Sequence, residues 1–365
     1  MIPIPLHLYT PVFYHAMLAL VLVTVLWYLG AQEKVASRAA GGVLTWGLAL
    51  AMTLYLGLRP VSGFYFGDMG AYAISFRDLQ STGTALKVYA NSEWAFAAFM
   101  HVSASIMSAE TWFLLCAALY VGLITRALHR VHRAKAYLAL LMAIASYSFW
   151  AYGTNGIRNG LATSLVLLGM AYPDRKLLMA LFFALAVGTH TSVLLPVAAF
   201  LLTFLYRDPR GYLGGYLLAV LLSLTVGGWW EQFFASSGLV GDERFSVYLL
   251  DQSYASEFSS IGFRWDFLAY SLWPVAFGAY HIFKRKFTDR FYLQLFNAYV
   301  AANAFWVLVI RASFSNRFAY LSWFMMFWVL VYPLLVGPAA GRRGRIQAGL
   351  LVAYYAFTYL MFLKT

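Results

Sequence analysis

The chain has 365 residues, of which 62% are hydrophobic, 19% are aromatic and 11% are charged, with a formal net charge of +12. Its mean hydropathy is +0.69. Water-soluble folds of this length carry more charge, so the composition excludes a soluble enzyme and predicts an all-α, polytopic integral membrane protein. With Cys116 as the sole cysteine, an intrachain disulfide is also excluded.

Apolar stretches of roughly membrane-spanning length recur along the chain and predict about 12 transmembrane helices in one polytopic domain, residues 1–365. The stretches are 11–30, 41–58, 108–125, 136–152, 158–172, 177–189, 192–206, 212–227, 265–283, 291–310, 318–337 and 346–363. A further amphipathic stretch at 93–106 is predicted to be a re-entrant or surface helix. If it spanned the membrane, everything before it would have the opposite orientation.

The distribution of basic residues predicts the orientation. Six connections hold 17 of the 26 Lys and Arg residues but only four of the 14 Asp and Glu residues: 31–40, 126–135, 173–176, 207–210, 284–290 and 338–345. The positive-inside rule places these connections in the cytoplasm and both termini outside. The positive charge therefore reports topology and contact with membrane lipid, and we expect no nucleic-acid partner. We also expect no cleavable signal peptide, because the first apolar run lacks a basic leader.

With this orientation, two long connections face outward. Residues 59–93 form a predicted outer loop with a polar motif around Asp68, and 228–264 form a long outer loop. Apolar and charged residues alternate within the second loop in a way that fits a helix on the membrane surface. It could act as a lid that excludes water from a reaction, or it could be a passive connector.

Arg158 and His190 are predicted to stand at the same end of a helical hairpin whose turn contains Asp174. Counted from that turn, both lie about 21 to 24 Å along their helices at about 1.5 Å per residue. The hydrocarbon core is about 30 Å thick, so both side chains would stop short of the far surface at a similar depth. Ionisable residues at membrane depth indicate a functional site.

The polar residues on the outer side suit transfer from a diphosphate. Guanidinium groups bind phosphate oxygens in pairs and stay charged when desolvated, and three arginines are candidates: Arg158, Arg311 and Arg317. A glycosyl transfer also needs a base, for which the candidates are Asp68, Glu93 and His190. No metal or other cofactor is expected, because the chain has no Asp-x-Asp pair and its histidines are scattered.

Each of these residues also has a structural interpretation. The arginines could anchor helix ends to headgroups, the two acids could be solvated, and His190 could be a neutral helix-end residue bonded to nearby hydroxyls.

Five motifs occur in an order that resembles the bacterial polysaccharide polymerases of the Wzy and EpsG type. They are Gly67-Asp68-Met69-Gly70-Ala71-Tyr72, the stretch that contains Glu93, Gly156-Ile157-Arg158-Asn159-Gly160, Gly188-Thr189-His190-Thr191-Ser192 and Ser315-Asn316-Arg317-Phe318-Ala319-Tyr320. The resemblance covers roughly residues 60–335. The first motif departs from the family pattern, in which Asp and Tyr are adjacent, because Met69-Gly70-Ala71 separates them here.

The resemblance implies a metal-independent glycosyltransferase with GT-C architecture in the bacterial cytoplasmic (inner) membrane, its site facing the periplasm or exterior. Its substrates would be polyprenyl-diphosphate-linked oligosaccharides, polymerised into O-antigen or exopolysaccharide with release of polyprenyl diphosphate. Arg158 and Arg317 would hold the diphosphate, Arg311 would assist, His190 would contact the leaving group or relay a proton, and Asp68 or Glu93 would be the base. A co-polymerase that regulates chain length and a flippase are the implied partners.

Two other functions stay open. A transporter or flippase of lipid-linked sugars would share the many spans and buried polar residues. The polar features here lie on one predicted face, and no repeat relates the two halves of the chain, which favours an enzyme. Another GT-C glycosyltransferase that adds one sugar to a protein or lipid is the second alternative.

Overall fold

The computed structural model describes residues 4–30, 38–82, 93–236, 262–312, 315–337 and 343–364. Within these ranges the regular elements are all helical, as the composition predicts. In chain order they are α1 (Leu6–Gly30), α2 (Arg38–Gly57), α3 (Gly63–Phe66), α4 (Met69–Thr82), α5 (Trp94–Ala104), α6 (Ala109–His132), α7 (Ala136–Ile144), α8 (Tyr147–Thr154), α9 (Ile157–Met170), α10 (Lys176–Thr189), α11 (Leu194–Leu205), α12 (Pro209–Ser236), α13 (Trp265–Ala279), α14 (Arg290–Leu308), α15 (Ser315–Val336) and α16 (Arg343–Leu363).

Each predicted apolar stretch contains helix, but the stretch 136–152 is divided into α7 and α8. The break falls at Ser146, whose backbone is extended and whose hydroxyl donates a hydrogen bond to the Ala143 carbonyl at 2.7 Å. Serine side chains compete with the helical backbone in this way. The connection 59–93 contains the helices α3 and α4.

Five of the described helices are long and apolar enough to cross a membrane: Leu6–Gly30, Ala109–Ile144, Pro209–Trp230, Asn316–Val336 and Arg343–Leu363. Shorter apolar helices include Gly41–Gly57, Ile157–Met170 and Lys176–Thr189. These helices support a membrane protein, while the number of 12 spans remains a prediction. Helix α5 has 11 residues and rises about 17 Å, too little to cross a core of about 30 Å.

The chain divides into two compact units, residues 1–190 with 334–365, and residues 191–333. In the first unit α9 contacts both α6 and α10, and α5 packs on α10. The fully buried indole of Trp112 on α6 packs against aromatic rings of α4 and α5. Its ring centroid lies 6.4 Å from Tyr72, 5.2 Å from Phe76 and 6.0 Å from Phe96.

The turn between α9 and α10 is fastened to α6 at the opposite end of the hairpin. Arg130 donates through Nη2 to both carboxylate oxygens of Asp174 at 2.8 Å and through Nε to the Ala171 carbonyl at 2.7 Å. Its guanidinium also lies 3.9 Å from the centroid of the Tyr172 ring. Because Arg130 contacts the last turn of α9 and the following loop, it fixes how the hairpin lies on α6.

In the second unit α14 packs on α11 and α12, and most of its side chains are buried. The Ser271 carbonyl, one turn before Pro274, accepts hydrogen bonds from the Tyr299 hydroxyl at 2.8 Å and from Asn303 Nδ2 at 3.4 Å. A proline interrupts the backbone hydrogen bonds of a helix, and neighbouring polar side chains can satisfy the groups around it. These contacts tie α13 to α14.

Candidate active site

The hairpin α9–α10 brings the predicted residues Arg158 and His190 to one carboxylate. Arg158 lies in the first turn of α9, and His190 is the residue that ends α10. Glu93, directly before α5, accepts from Arg158 Nη1 at Oε2 and contacts His190 Nδ1 through Oε1. The side chains are 27%, 12% and 20% exposed for Arg158, His190 and Glu93, so the cluster is shielded but reachable.

Helix geometry explains why this end of the hairpin gathers charge. The amino terminus of a helix carries partial positive charge, which disfavours Arg158 in the first turn of α9. The negative charge of the Glu93 carboxylate offsets the positive charge of the guanidinium and the partial positive charge of the helix end. His190 stands at the carboxyl end of α10, so the two helix ends of the hairpin bring an imidazole and a guanidinium to the same carboxylate.

The Glu93 carboxyl is held ionised. Burial raises its pKa, but the hydrogen bond and charge of His190 and the charge and hydrogen bond of Arg158 together outweigh burial and bring the pKa below its ordinary value. A carboxylate stabilised in this way is a weak proton acceptor. It is better suited to orienting the imidazole and the guanidinium than to taking a proton from a substrate.

Tyr72 and Phe96 flank the guanidinium of Arg158. The Nε atom donates to the Tyr72 hydroxyl at 3.0 Å, and the guanidinium carbon lies 5.8 Å from the Tyr72 ring centroid and 5.9 Å from that of Phe96. Burial raises the pKa of Tyr72, although Arg158 lowers it, so Tyr72 is a neutral phenol at neutral pH. Arg158 is therefore fixed on both its Nε and its Nη1 sides.

Asp68 lies beside the cluster with an exposed side chain. Its backbone N–H donates to Asn155 Oδ1 at 2.8 Å, three residues before Arg158. Gly67 makes this contact possible, because its φ is +53° and a Cβ there would lie 2.6 Å from the Asn155 amide oxygen. Among the described ion pairs, the Asp68 carboxylate takes no part.

Arg59 holds the two segments that meet at Gly67 and Asn155. It is 4% exposed and donates to the carbonyls of Leu56 and, at 3.1 Å, of Thr154, the residue before Asn155. Its guanidinium lies 5.5 Å from the ring of Phe66, the residue before Gly67. Arg59 thus contacts the residue before Gly67 and the residue before Asn155, and so stabilises the close contact between them.

The other two predicted arginines lie in the second unit. Arg311 is exposed, with its guanidinium 5.5 Å from the Phe263 ring centroid and its Nε 3.1 Å from where a Gly227 Cβ would lie. Arg317 is exposed in the first turn of α15. Their joint action with Arg158 on one diphosphate stays a prediction.

The predicted lid lies mostly outside the described residues, which omit 237–261. Residues 228–236 continue α12, and Trp265 begins α13. Across the described ranges, no three His, Cys, Asp or Glu side chains gather in a way that could hold a metal ion. Metal independence also stays a prediction.

Three residues around the site, Tyr72, Asn155 and Arg59, had no role predicted from the sequence. Tyr72 follows Asp68 by four residues, which places both on one face once this segment is helical. Asn155 lies two residues before α9, which begins at Ile157, and an asparagine there is a usual helix-end residue. Arg59 carried no comparable signal, because its partners are backbone carbonyls 3 and 95 residues away.

This arrangement can bind an anion and move a proton. A guanidinium, an imidazole and a carboxylate meet at one end of an apolar helical hairpin, which defines a candidate active site in a membrane protein. A comparison with sequence models of known families identifies the family of this membrane protein. A sequence model of the EpsG family matches residues 48–365, and the chain belongs to that family. Searches of curated proteins and of solved structures find no match.

Proposed function

We propose that this protein polymerises polyprenyl-diphosphate-linked oligosaccharide repeat units at the outer face of the bacterial cytoplasmic membrane. Membership of the EpsG family supports a polysaccharide polymerase-type function. The observation that carries the reaction chemistry is the single carboxylate of Glu93 bridging Arg158 and His190. About 12 spans, GT-C architecture and an outward-facing site are parts of the same proposal.

Arg158 is the proposed ligand of the donor diphosphate. Its guanidinium is held by Tyr72 and Glu93 but is still 27% exposed, so it can offer part of its donor fork to phosphate oxygens. A diphosphate would compete with Glu93 for Arg158 and leave Glu93 to act more strongly on His190. Arg311 and Arg317 would supply the further positive charge that a leaving diphosphate requires.

His190 is the proposed base. With the proton on Nδ1 directed to Glu93, Nε2 is the ring nitrogen that can accept a proton. The acceptor hydroxyl attacks the anomeric carbon of the donor sugar, and the bond from that carbon to the diphosphate oxygen breaks with its electron pair on the diphosphate. The hydroxyl proton passes to Nε2, and the imidazolium then lies near the departing anion.

Glu93 and Asp68 take supporting roles in this scheme. Glu93 orients His190 and Arg158, because its carboxylate is already engaged by both. The exposed Asp68 is the alternative base, held close to Arg158 by the bond from its backbone to Asn155. A chain-length-regulating co-polymerase remains an expected partner.

The test is the length distribution of surface glycan in host cells whose sole copy carries Arg158→Ala. We expect single repeat units in place of long chains, because units would still be delivered but not joined. Arg158→Lys should fail nearly as severely if paired contacts to phosphate matter. Arg77→Ala is the matched control, because Arg77 is an exposed arginine of the same unit with one 3.5 Å partner, Glu110.

The same experiment separates the polymerase from a flippase. Loss of both single units and chains, with lipid-linked units held at the cytoplasmic face, would identify a transporter. Normal chains at normal protein level in the membrane would refute the role of Arg158 altogether.

A further inference from the structure

Trp94 lies directly after Glu93 and keeps a large part of its ring accessible. The side chain is 52% exposed although it begins helix α5, which packs on α10. Four other tryptophans among the described residues are comparably exposed, and each packs on an aromatic ring: Trp27, Trp46, Trp229 and Trp265. Trp94 has no such ring neighbour within the described part of the chain.

A glycine supports the Trp94 ring instead. A Cβ on Gly188 would lie 2.6 Å from Cε2, 2.7 Å from Nε1 and 2.9 Å from Cζ2 of the indole. Real Cβ atoms do not approach so closely, so the ring rests on the bare backbone of α10. Any larger residue at position 188 would displace the ring.

Two residues of the charged cluster are close to this seat in the chain. Glu93 is the preceding residue in the chain, and His190 follows Gly188 by two residues. Glu93 contacts His190 where α5 packs on α10, and the same packing seats the indole on Gly188, so the indole and the cluster belong to one contact region between the two helices. An interfacial anchor needs only an apolar body at headgroup depth, and it does not require a helix face without a Cβ.

We propose that the exposed face of Trp94 is a sugar-binding subsite, against which a pyranose ring of the lipid-linked glycan stacks. This inference rests on the proposed function and deepens it. The apolar C–H face of a sugar ring covers the indole, and the ring's hydroxyls or anomeric carbon are directed to Glu93, Arg158 and His190. Gly188 is the positioning residue that sets the height of this platform.

The first test compares Trp94→Phe with Trp94→Leu in protein purified into lipid nanodiscs. The substrate is lipid-linked glycan extracted from a host strain that lacks the chromosomal copy. Phenylalanine keeps a ring face, whereas leucine keeps only the apolar character. We expect Trp94→Leu to raise KM roughly three- to tenfold with a smaller change in kcat, and Trp94→Phe to stay within about threefold of the unaltered protein.

Two controls separate stacking from general effects of substitution. Trp46→Leu removes an exposed tryptophan that packs on His129, and it should leave KM unchanged. Gly188→Ala should raise KM as Trp94→Leu does. Gly122→Ala should not, because a Cβ on Gly122, another helical glycine of the first unit, meets nothing within 4 Å.

A binding measurement covers the case in which Trp94→Leu fails to fold. The fluorescence of the unaltered protein minus that of Trp94→Phe isolates Trp94, and saturating lipid-linked glycan should change this difference. An unchanged difference, or a normal KM in folded Trp94→Leu while Arg158→Ala is inactive, would overturn the subsite alone. Normal activity of Arg158→Ala would instead overturn the proposed function.

Discussion

Glu93 and His190 are in direct contact through Oε1 and Nδ1, although 97 residues separate them in the chain. The contact exists because α5 packs on α10, which brings the start of one helix to the end of the other. The second carboxylate oxygen of Glu93 binds Arg158. One side chain therefore sets the orientation of both the guanidinium and the imidazole, and this relationship determines what each substitution should do.

Glu93→Gln should abolish most polymerisation while leaving the fold in place. The amide has the same shape but no charge, and it cannot serve as a charged acceptor for Arg158 and His190 together. We expect a fall in kcat on the order of 10²- to 10³-fold, the usual effect of losing one electrostatic contact in an active site. Rates with purified lipid-linked glycan measure it, and a change below about threefold would contradict the orienting role.

Much of this site's framework could be predicted from sequence. The two apolar runs, the polar turn around Asp174 and the distances from it to Arg158 and His190 predicted a hairpin with both residues at one end. The contact with Glu93 could not be predicted, because it depends on how α5 packs on α10. The sequence offered three candidate bases and no rule for choosing among them.

Helix α4 shows where a signal was present in the sequence but weak. Its buried residues Met69, Ala73 and Phe76 recur at helical spacing. The intervening residues are polar enough that the segment reads as a loop on hydropathy alone. The break at Ser146 could not be predicted from hydropathy, because the stretch 136–152 is mostly apolar on both sides of it. A single hydrogen bond from the Ser146 hydroxyl to a backbone carbonyl accompanies the change in chain direction.

His190→Asn should separate proton transfer from structure. The asparagine amide N–H can take the place of Nδ1–H toward Glu93, but the side chain offers no basic nitrogen at the position of Nε2. We expect kcat to fall about 10²- to 10⁴-fold with KM changed little, because general-base catalysis contributes about this much. Steady-state kinetics provide the test. A variant with a raised KM and an unchanged kcat would show that His190 acts in substrate binding only.

The lowered pKa of Glu93 gives a signed prediction for pH. Because the folded protein holds the carboxyl ionised more strongly than the unfolded chain does, Glu93 contributes stability that is fully present above the ordinary Glu pKa. That contribution is lost as pH falls through the lower folded value. The melting temperature of the unaltered protein should exceed that of Glu93→Gln at neutral pH, and the difference should shrink below about pH 4. A constant difference across this range would contradict the prediction.

The Arg130–Asp174 contact should stabilise the hairpin without taking part in chemistry. Arg130 binds both oxygens of Asp174, and the interaction holds the pKa of Asp174 below its ordinary value, with the hydrogen bond from Arg130 the main cause. Asp174 is 62% exposed, so solvent screening limits the coupling to roughly 0.5 to 1 kcal/mol. Arg130→Ala should cost more than Asp174→Asn, because it also removes the bond to the Ala171 carbonyl and the contact with Tyr172. A double-mutant cycle on thermal stability isolates the pair, and polymerisation should persist in Asp174→Asn. If Asp174→Asn lost activity at unchanged stability, the purely structural role of this turn, which lies at the other end of the hairpin from Glu93, would be contradicted.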